Sequence, residues 1–370
     1  MGTPVNQSGY KHGSEPLTGV LLTNLGTPDD ATPEALRRYL GEFLWDPRIV
    51  EIPRVLWWLI LHGIILRTRP AKSARAYKKI WTENGSPLLA IASHQRESIQ
   101  RELEKRFETP VMVELGMRYG NPSISSALET LRNANARRIL VLPLYPQYSA
   151  ATTGSTFDAI SKVFNAWRWI PEFRMVTQYH DKKAYIDSLV ASIREHWASN
   201  GQPEKMLFSF HGIPRFSFEA GDPYPCQCRV TARLVAEKLS LPEDSWYLTF
   251  QSRFGWAEWV KPYTDATLKA WARSGVRHVD VICPGFSADC LETLEEINML
   301  NREIFLGAGG EQFNYIPALN TRTDHVAALT DIVYRNIQSW VGPESDQDSP
   351  IEISQLELSR QRALASGAKD

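Results

Sequence analysis

Two segments of the sequence carry side chains that could bind a metal ion or transfer protons. In the first, FSFHGIP, an apolar run ends at His211. The second, CPGFSADCLETLEEI, places Asp289, Glu292 and Glu296 at positions i, i+3 and i+7. On an α-helix these three carboxylates would share one face, within an arc of about 60°. An imidazole and a file of carboxylates suit the binding of a divalent cation or acid–base chemistry.

Each segment also has a structural interpretation. A histidine at a strand end is commonly held by a neighbouring backbone carbonyl group. Asp289 and Glu292 could form the N-cap and capping box of a helix, where the helix dipole favours acidic side chains. The segments alone leave these alternatives open, so the interpretation depends on where the fold places them.

Four continuous apolar runs predict strands that are buried on both faces: GVLLTNLG, ARRILVLPLY, KMLFSFHG and VRHVDVICPGF. Stretches with helical periodicity, such as SISSALETLRNANA and VTARLVAEKL, lie between them. Alternating strands and helices predict a parallel sheet with helices on both faces. Such folds bind ligands beyond the carboxyl ends of their strands, which is where His211 falls.

Three pairs of segments repeat in the same order along the chain. LLTNLGTP matches LFSFHGIP at an offset of 186 residues, VELGMRYG matches LTFQSRFG at 135, and RRILVLPLYPQYSA matches RHVDVICPGFSADC at 140. The repeat predicts two halves of similar fold. The fall in offset predicts an insertion of about 50 residues between Pro28 and Val113, a length read directly from the repeat spacing.

The composition narrows the classes of protein. The chain has 370 residues, 43% of them apolar, and a formal net charge of −1, which gives no reason to expect a nucleic-acid partner. Neither G-x-G-x-x-G nor a P-loop motif is present. The longest apolar run, VLWWLILHGIIL, would span about 18 Å as a helix, less than a bilayer core of about 30 Å. A helix is predicted over 353–365, within an otherwise polar tail.

Five motifs resemble the ferrochelatase family, whose members insert ferrous iron into a porphyrin to make haem: LLTNLGTP, SFHGIP, GDPYP, FQSRFGWAEWVKPYTD and CPGFSADCLETLEEI. The resemblance extends from near Gly19 to near Tyr334 and is greatest to the bacterial type found in Gram-negative organisms. It implies an α/β chelatase fold of two Rossmann-like domains, each a parallel sheet flanked by helices, with a porphyrin cleft between them.

The resemblance and the repeat together predict the domain organisation. The first Rossmann-like domain is expected over 17–190, with an apolar lip inserted at about 29–80. The second is expected over 200–340. The remaining segments, 1–16 and 343–370, are expected to be flexible tails.

The resemblance also implies roles for individual residues. His211 and Glu292 match the family's catalytic and metal-binding histidine and glutamate. Glu296 and Asp289 match further acidic positions of its carboxylate row. The positions that match porphyrin contacts of the family are Leu25, Arg69, Ser86, Arg118, Tyr119 and Trp259. Arg67 is an alternative to Arg69, because the spacing of arginines varies in that segment.

By this resemblance Fe²⁺ and protoporphyrin IX are substrates, and no organic cofactor is expected. Some members hold a [2Fe–2S] cluster through cysteines near the C-terminus, but here no cysteine follows Cys290. Cys290 itself stands where some relatives have a second histidine. Four cysteines in a chain of this length fit a reducing cytoplasm, and the apolar lip adds an expected peripheral contact with the inner face of the membrane.

Two rival interpretations remain. One is a related chelatase that inserts cobalt or nickel into a similar ring. The other is a haem or porphyrin carrier without catalysis, although His211, Glu292 and Glu296 favour an enzyme.

Overall fold

The computed structural model describes residues 11–255, 257–341 and 353–368. Two four-stranded sheets form the framework, and their strands are β1 (Leu17–Thr27), β2 (Val111–Gly120), β3 (Ala136–Pro143), β4 (Glu172–Met175), β5 (Lys205–His211), β6 (Trp246–Gln251), β7 (His278–Ile282) and β8 (Gln312–Ile316).

Thirteen α-helices lie within the described ranges: α1 (Pro33–Trp45), α2 (Arg54–Ile60), α3 (Leu66–Ile80), α4 (Pro87–Glu104), α5 (Ile124–Asn133), α6 (Ser155–Phe164), α7 (Lys183–Asn200), α8 (Arg215–Glu219), α9 (Tyr224–Leu239), α10 (Thr264–Arg273), α11 (Arg302–Gly307), α12 (Thr323–Val341) and α13 (Ile353–Ala365). Three wider helical segments of the π type accompany them: π1 (Leu61–Ile65), π2 (Ala150–Gly154) and π3 (Glu292–Asn301).

The two sheets have the same topology. All strand pairs are parallel, and the order is β2-β1-β3-β4 in the first sheet and β6-β5-β7-β8 in the second. This equivalence confirms the repeat, because β1, β2 and β3 correspond to β5, β6 and β7. It also confirms the predicted class of two parallel sheets flanked by helices.

The insertion predicted between the first two strands contains α1, α2, π1 and α3. Its apolar run is divided between two environments. Trp57 is 5% exposed and its indole N–H donates to the Leu44 carbonyl at 2.7 Å, whereas the next residue, Trp58, is 51% exposed. The insertion also reaches the second half, where Lys79 on α3 forms a 2.8 Å ion pair with Glu295 on π3.

The largest apolar cluster joins the two halves, because it contains Val20 and Leu22 of β1 together with Phe208 and Phe210 of β5. Each half also has a smaller apolar cluster of its own. The last core helix, α12, returns to the first sheet, where the Trp340 indole donates to Glu172 at 2.8 Å. Helix α7 runs across the limit predicted at 190, and a mostly exposed coil at 201–204 then leads to β5.

The terminal predictions are only partly within the described residues. The tails predicted at 1–16 and 343–370 lie partly outside the described ranges. The helix predicted over 353–365 is confirmed as α13. Within the described ranges, none of the helices is both long and apolar enough to cross a bilayer.

Candidate active site

His211 ends β5 at the carboxyl edge of the second sheet, opposite Gln251 of β6. Its Nδ1 lies 2.7 Å from the Gly212 carbonyl oxygen. Because a carbonyl only accepts hydrogen bonds, Nδ1 must carry the proton, and the neutral ring then has a free lone pair on Nε2. The half-buried imidazole is thus both held by a carbonyl, as the structural interpretation requires, and chemically available.

The Trp259 ring packs near the His211 ring. The two rings have centroids 6.3 Å apart, and the buried indole donates to the Phe254 carbonyl at 2.9 Å. Gly212 lies between them, and a Cβ there would come within 2.9 Å of the Gln251 carbonyl and 3.0 Å of the Trp259 ring. Trp259 therefore packs against the histidine segment, with almost no surface of its own for a ligand.

Glu296 on π3 is held close to His211 by a residue that the sequence analysis did not identify. Ser252 donates to its carboxylate through the backbone N–H at 2.8 Å and through its hydroxyl. Burial raises the pKa of Glu296; the Ser252 hydrogen bonds and the His211 charge oppose this, and Glu292 adds to it. Ser252 has a left-handed φ of 65°, a backbone feature that the residue type does not reveal.

Glu292 is the first residue of π3. The Gln251 side-chain amide donates to its backbone carbonyl at 2.9 Å, which fixes the start of the helix against β6. Burial raises the pKa of Tyr77 on α3 and of Tyr39 on α1, and the Glu292 charge raises both further. The carboxylate therefore lies at the boundary between the second half and the insertion.

The prediction that Asp289 shares one exposed helix face with the two glutamates is wrong. Asp289 precedes the helix and is buried, and its carboxylate accepts from the Tyr315 hydroxyl at 2.5 Å, the Asn320 amide at 2.7 Å and the Thr293 hydroxyl at 2.9 Å. The capping box does not form either, since the Asp289 backbone N–H donates to Asn320 at 2.8 Å.

Arg118 and Tyr119 lie near the end of β2, and both side chains contact Asp46 of the insertion. The Arg118 guanidinium contacts Asp46 and donates to the Ser155 hydroxyl at 2.6 Å, and the Tyr119 hydroxyl donates to Asp46 at 2.8 Å. Burial acts to raise the pKa of Asp46, but hydrogen bonds from Ser155, Arg48 and Tyr119 and the Arg118 charge lower it. Tyr119 is 0% exposed, so the expectation that it lines the cleft is not met in this structure.

The remaining predicted porphyrin contacts differ in accessibility. Leu25 is partly exposed and packs beside Tyr39 and Tyr77. Ser86 is buried, with its hydroxyl accepting from Thr27 at 2.8 Å, which does not match an open propionate site. Arg69 is exposed, and its guanidinium carbon lies 6.0 Å from the centre of the Phe254 ring in the second half.

The cysteines take no part in a recognisable cluster. All four are free thiols; Cys226 is exposed and Cys228, Cys283 and Cys290 are buried. Among the residues that the structure describes, no group of three or more His, Cys, Asp or Glu side chains is arranged to hold a metal ion.

Paired parallel sheets with an imidazole and carboxylates at one carboxyl edge define the class of the protein as a chelatase fold. SirB from Bacillus subtilis with Fe³⁺ has a TM-score of 0.51 to this chain, 11% identity, and coverage of 87% of this chain and 96% of its own. The sirohydrochlorin chelatase SirB from B. subtilis subspecies spizizenii, in complex with cobalt, also gives 0.51, at 9% identity, with 89% and 97% coverage. At these identities the likeness concerns the fold alone.

The sequence comparisons then define the family. The Ferrochelatase family model matches residues 17–337. Curated ferrochelatases from Thioalkalivibrio sulfidiphilus and Nitrosococcus oceani are 58% and 54% identical to this chain; the first match covers 98% of this chain and 99% of the relative, the second 98% of each. The chain belongs to the ferrochelatase family.

Proposed function

We propose that the protein inserts Fe²⁺ into protoporphyrin IX to form haem and release two protons, with His211 and the π3 carboxylates as its catalytic groups. Membership of the ferrochelatase family supports the reaction. The single observation that supports the residue assignment is the imidazole of His211, anchored at Nδ1, free at Nε2 and close to a buried carboxyl group.

The reaction requires two pyrrole N–H bonds to break and four Fe–N bonds to form. A neutral imidazole with a free ring nitrogen is a proton acceptor. His211 Nε2 accepts the first proton. Glu296 lies close enough to interact with it electrostatically, and its raised pKa suits it to pass protons on to solvent.

The carboxylates have a second role in delivering the metal. Fe²⁺ arrives hydrated, and carboxylate oxygens suit such an ion better than apolar walls do. Glu292 and Glu296 lie one helical turn apart on π3, between β6 and the insertion. They therefore form a short path along which iron exchanges water for protein ligands before it reaches the ring.

The porphyrin is proposed to lie between the insertion and the second half. Leu25 contributes an apolar contact and Arg69 an exposed cation for a propionate. Ser86 and Tyr119, being buried, act behind this wall and not at its surface. Arg118 is tied to Asp46, so its contribution is to hold the wall in place.

No organic cofactor is proposed, because the metal is itself a substrate and the ring supplies the ligands. We also propose that no [2Fe–2S] centre is present, since the four cysteines are dispersed and only Cys226 is exposed. Stoichiometric labile sulfide in anaerobically purified protein would contradict this.

We propose a cytoplasmic location from the four free cysteines, and a peripheral membrane contact from the insertion. Its outer surface carries apolar side chains that are more than half exposed: Val55, Leu56, Trp58, Leu59 and Ile64. A contiguous apolar patch of this kind typically marks an interaction surface. We name this set the lip patch.

The proposed function is tested by an anaerobic insertion assay. Protein is mixed with protoporphyrin IX and with Fe²⁺, Co²⁺ or Ni²⁺ in separate reactions, and the metalloporphyrin spectrum is followed. Turnover with Fe²⁺ supports the proposal. Turnover with Co²⁺ or Ni²⁺ but not Fe²⁺ would indicate the rival chelatase, and binding without turnover would indicate a carrier.

A further inference from the structure

Asn320 uses all four of its hydrogen-bonding groups at one point between three segments. It lies after β8 with a left-handed φ of 47°. Its backbone N–H donates to Ser287 at 3.0 Å, and its side-chain amide exchanges two hydrogen bonds with Asp289, at 2.7 and 2.8 Å. Its carbonyl accepts from Gln95 at 2.8 Å and from His325 at 2.9 Å.

One of these partners belongs to the other half of the molecule. Gln95 lies on α4 and is 0% exposed. Its amide nitrogen donates both to the Asn320 carbonyl at 2.8 Å and to the Ser287 carbonyl at 3.0 Å. Through the Gln95 side chain, the first half therefore contacts both the segment after β7 and the segment after β8.

A chain of hydrogen bonds leads from this point to the first turn of π3, which carries Glu292. Asp289, clamped by Asn320, accepts from the Thr293 hydroxyl at 2.9 Å. The same hydroxyl accepts from the Cys290 backbone N–H at 3.0 Å. Thr293 adjoins Glu292, so these bonds, together with the bond from Gln251 to the Glu292 carbonyl, fix the first turn of π3.

We propose that Asn320 is a positioning residue for iron insertion, which acts through Asp289 and Thr293 to set the carboxylate of Glu292. This inference rests on the proposed function, since it concerns the same site. Asparagine is suited to the position because it tolerates a left-handed φ and offers a donor and an acceptor side by side. Gln95 extends the effect across the two halves.

The first test removes the amide and keeps the backbone conformation. Asn320→Gly tolerates φ near 47° but loses both bonds to Asp289. We expect kcat per folded enzyme to fall about 10–100-fold, because a misplacement of about 1 Å costs up to that much, with KM for protoporphyrin changed less than about threefold. Asn135→Gly is the matched control: its φ is 62°, and its amide donates only to Ser14 and Glu15, far from the site.

The second test exchanges the two partners. Asn320→Asp alone places two carboxylates against each other, which repel. Asp289→Asn alone places two amide groups against each other, and the hydrogen bond between the Asn320 amide and a carboxylate is lost. Combining the substitutions restores the pairing, because the exchanged amide donates to the exchanged carboxylate while the other oxygen at 289 still accepts from Tyr315 and Thr293. We expect each single variant to lose activity and the double variant to recover to within about threefold of wild type, the non-additivity of directly paired groups.

A third readout does not depend on catalysis. Cys290 is buried and its N–H is bonded to Thr293, so release of the segment should increase its rate of alkylation, measured by peptide mass spectrometry in a Cys226→Ser background. Unchanged kcat and unchanged Cys290 alkylation in Asn320→Gly, or a double variant no better than the single ones, would overturn the positioning role. If wild type itself inserts no iron, the proposed function fails and the catalytic part of this inference fails with it, while a higher Cys290 alkylation rate in Asn320→Gly would still show that Asn320 holds the segment that carries Glu292.

Discussion

At the scale of single residues, the site depends on how each titratable group is held. His211 is fixed through one ring nitrogen only, Glu296 through two donors of Ser252, and Asp289 through neutral donors alone. The same carboxylic acid chemistry therefore serves two purposes. Glu296 stays near the reacting groups, whereas the Asp289 carboxylate accepts several internal hydrogen bonds and stabilises the start of π3.

Glu296→Gln is expected to lower turnover and to raise the thermal stability of the protein. Burial raises the pKa of Glu296, so the folded protein holds this proton more tightly than the unfolded chain does. The contribution of this group to stability therefore falls as pH rises from about 4.3, the ordinary glutamate value, through its raised pKa. Above that window the variant should melt about 1–2 °C higher than wild type, a change of about 1 kcal/mol at this size.

The measurement is thermal unfolding of both proteins between pH 5 and 8, with turnover on the same samples. Turnover should fall about tenfold, less than the 10²–10⁴-fold cost of losing an acid–base group that acts on the reacting atoms, because His211 stays in place and Glu296 only passes protons on. A variant that is less stable than wild type at pH 8, or a stability difference that shrinks as pH rises, would contradict the account.

At the scale of elements, the sequence predicts the strands well and the site helix poorly. GVLLTNLG and KMLFSFHG form β1 and β5 because continuous apolar runs have few alternatives to a doubly covered strand. The carboxylate row was read with the 100° step of an α-helix, but Glu292–Asn301 is a π-helix and begins after Asp289. Asp289 is held by Tyr315 and Asn320, which lie 26 and 31 residues further along the chain.

Other site features are also outside the reach of local patterns. Ser252 lies in the QSRFG segment that the repeat identified, yet its role depends on a left-handed φ of 65° and on Glu296, 44 residues away. The burial of Tyr119 depends on Asp46 of the insertion. Residue type and spacing locate the rim of the sheet, and long-range contacts decide which side chains face the cleft.

The lip patch is expected to bind membranes through its exposed side chains. Replacing both Trp58 and Leu59 with serine should weaken binding to phospholipid vesicles at least about tenfold, because each side chain contributes about 1–2 kcal/mol on leaving water. Trp57 should be left intact, since it is buried. Cosedimentation with vesicles measures the effect, and Tyr247→Ser, at another exposed aromatic residue, is the control. Equal binding of all three proteins would exclude the patch as a membrane contact.

At the scale of the whole molecule, two equivalent sheets share the largest apolar cluster. The halves are tied by the apolar cluster of β1 and β5, by the return of α12 to the first sheet, and by Gln95 beside the carboxylate segment. The Lys79–Glu295 ion pair and the Arg69–Phe254 contact bridge the cleft side. The molecule is therefore expected to unfold as one unit, although its sequence is a repeat of two.

Trp340→Ala tests this coupling. Trp340 is buried in the common core and donates to Glu172 of β4, so its truncation should destabilise the protein by about 3–5 kcal/mol. Urea unfolding followed by far-UV circular dichroism and by tryptophan fluorescence should give one coincident transition in both wild type and variant. Two separated transitions would show that the halves unfold independently.

The central claim is that His211 carries out the insertion chemistry in a cleft that binds porphyrin through other residues. The most direct measurement is anaerobic Fe²⁺ insertion by wild type and His211→Ala, with protoporphyrin binding by fluorescence quenching on the same preparations. The account predicts that insertion falls about 10²–10⁴-fold, the contribution of a positioned acid–base group, while porphyrin affinity stays within about threefold, because a group that acts in the transition state contributes little to ground-state binding. A folded His211→Ala variant with near-normal insertion, or one that loses porphyrin binding in proportion to turnover, would contradict it.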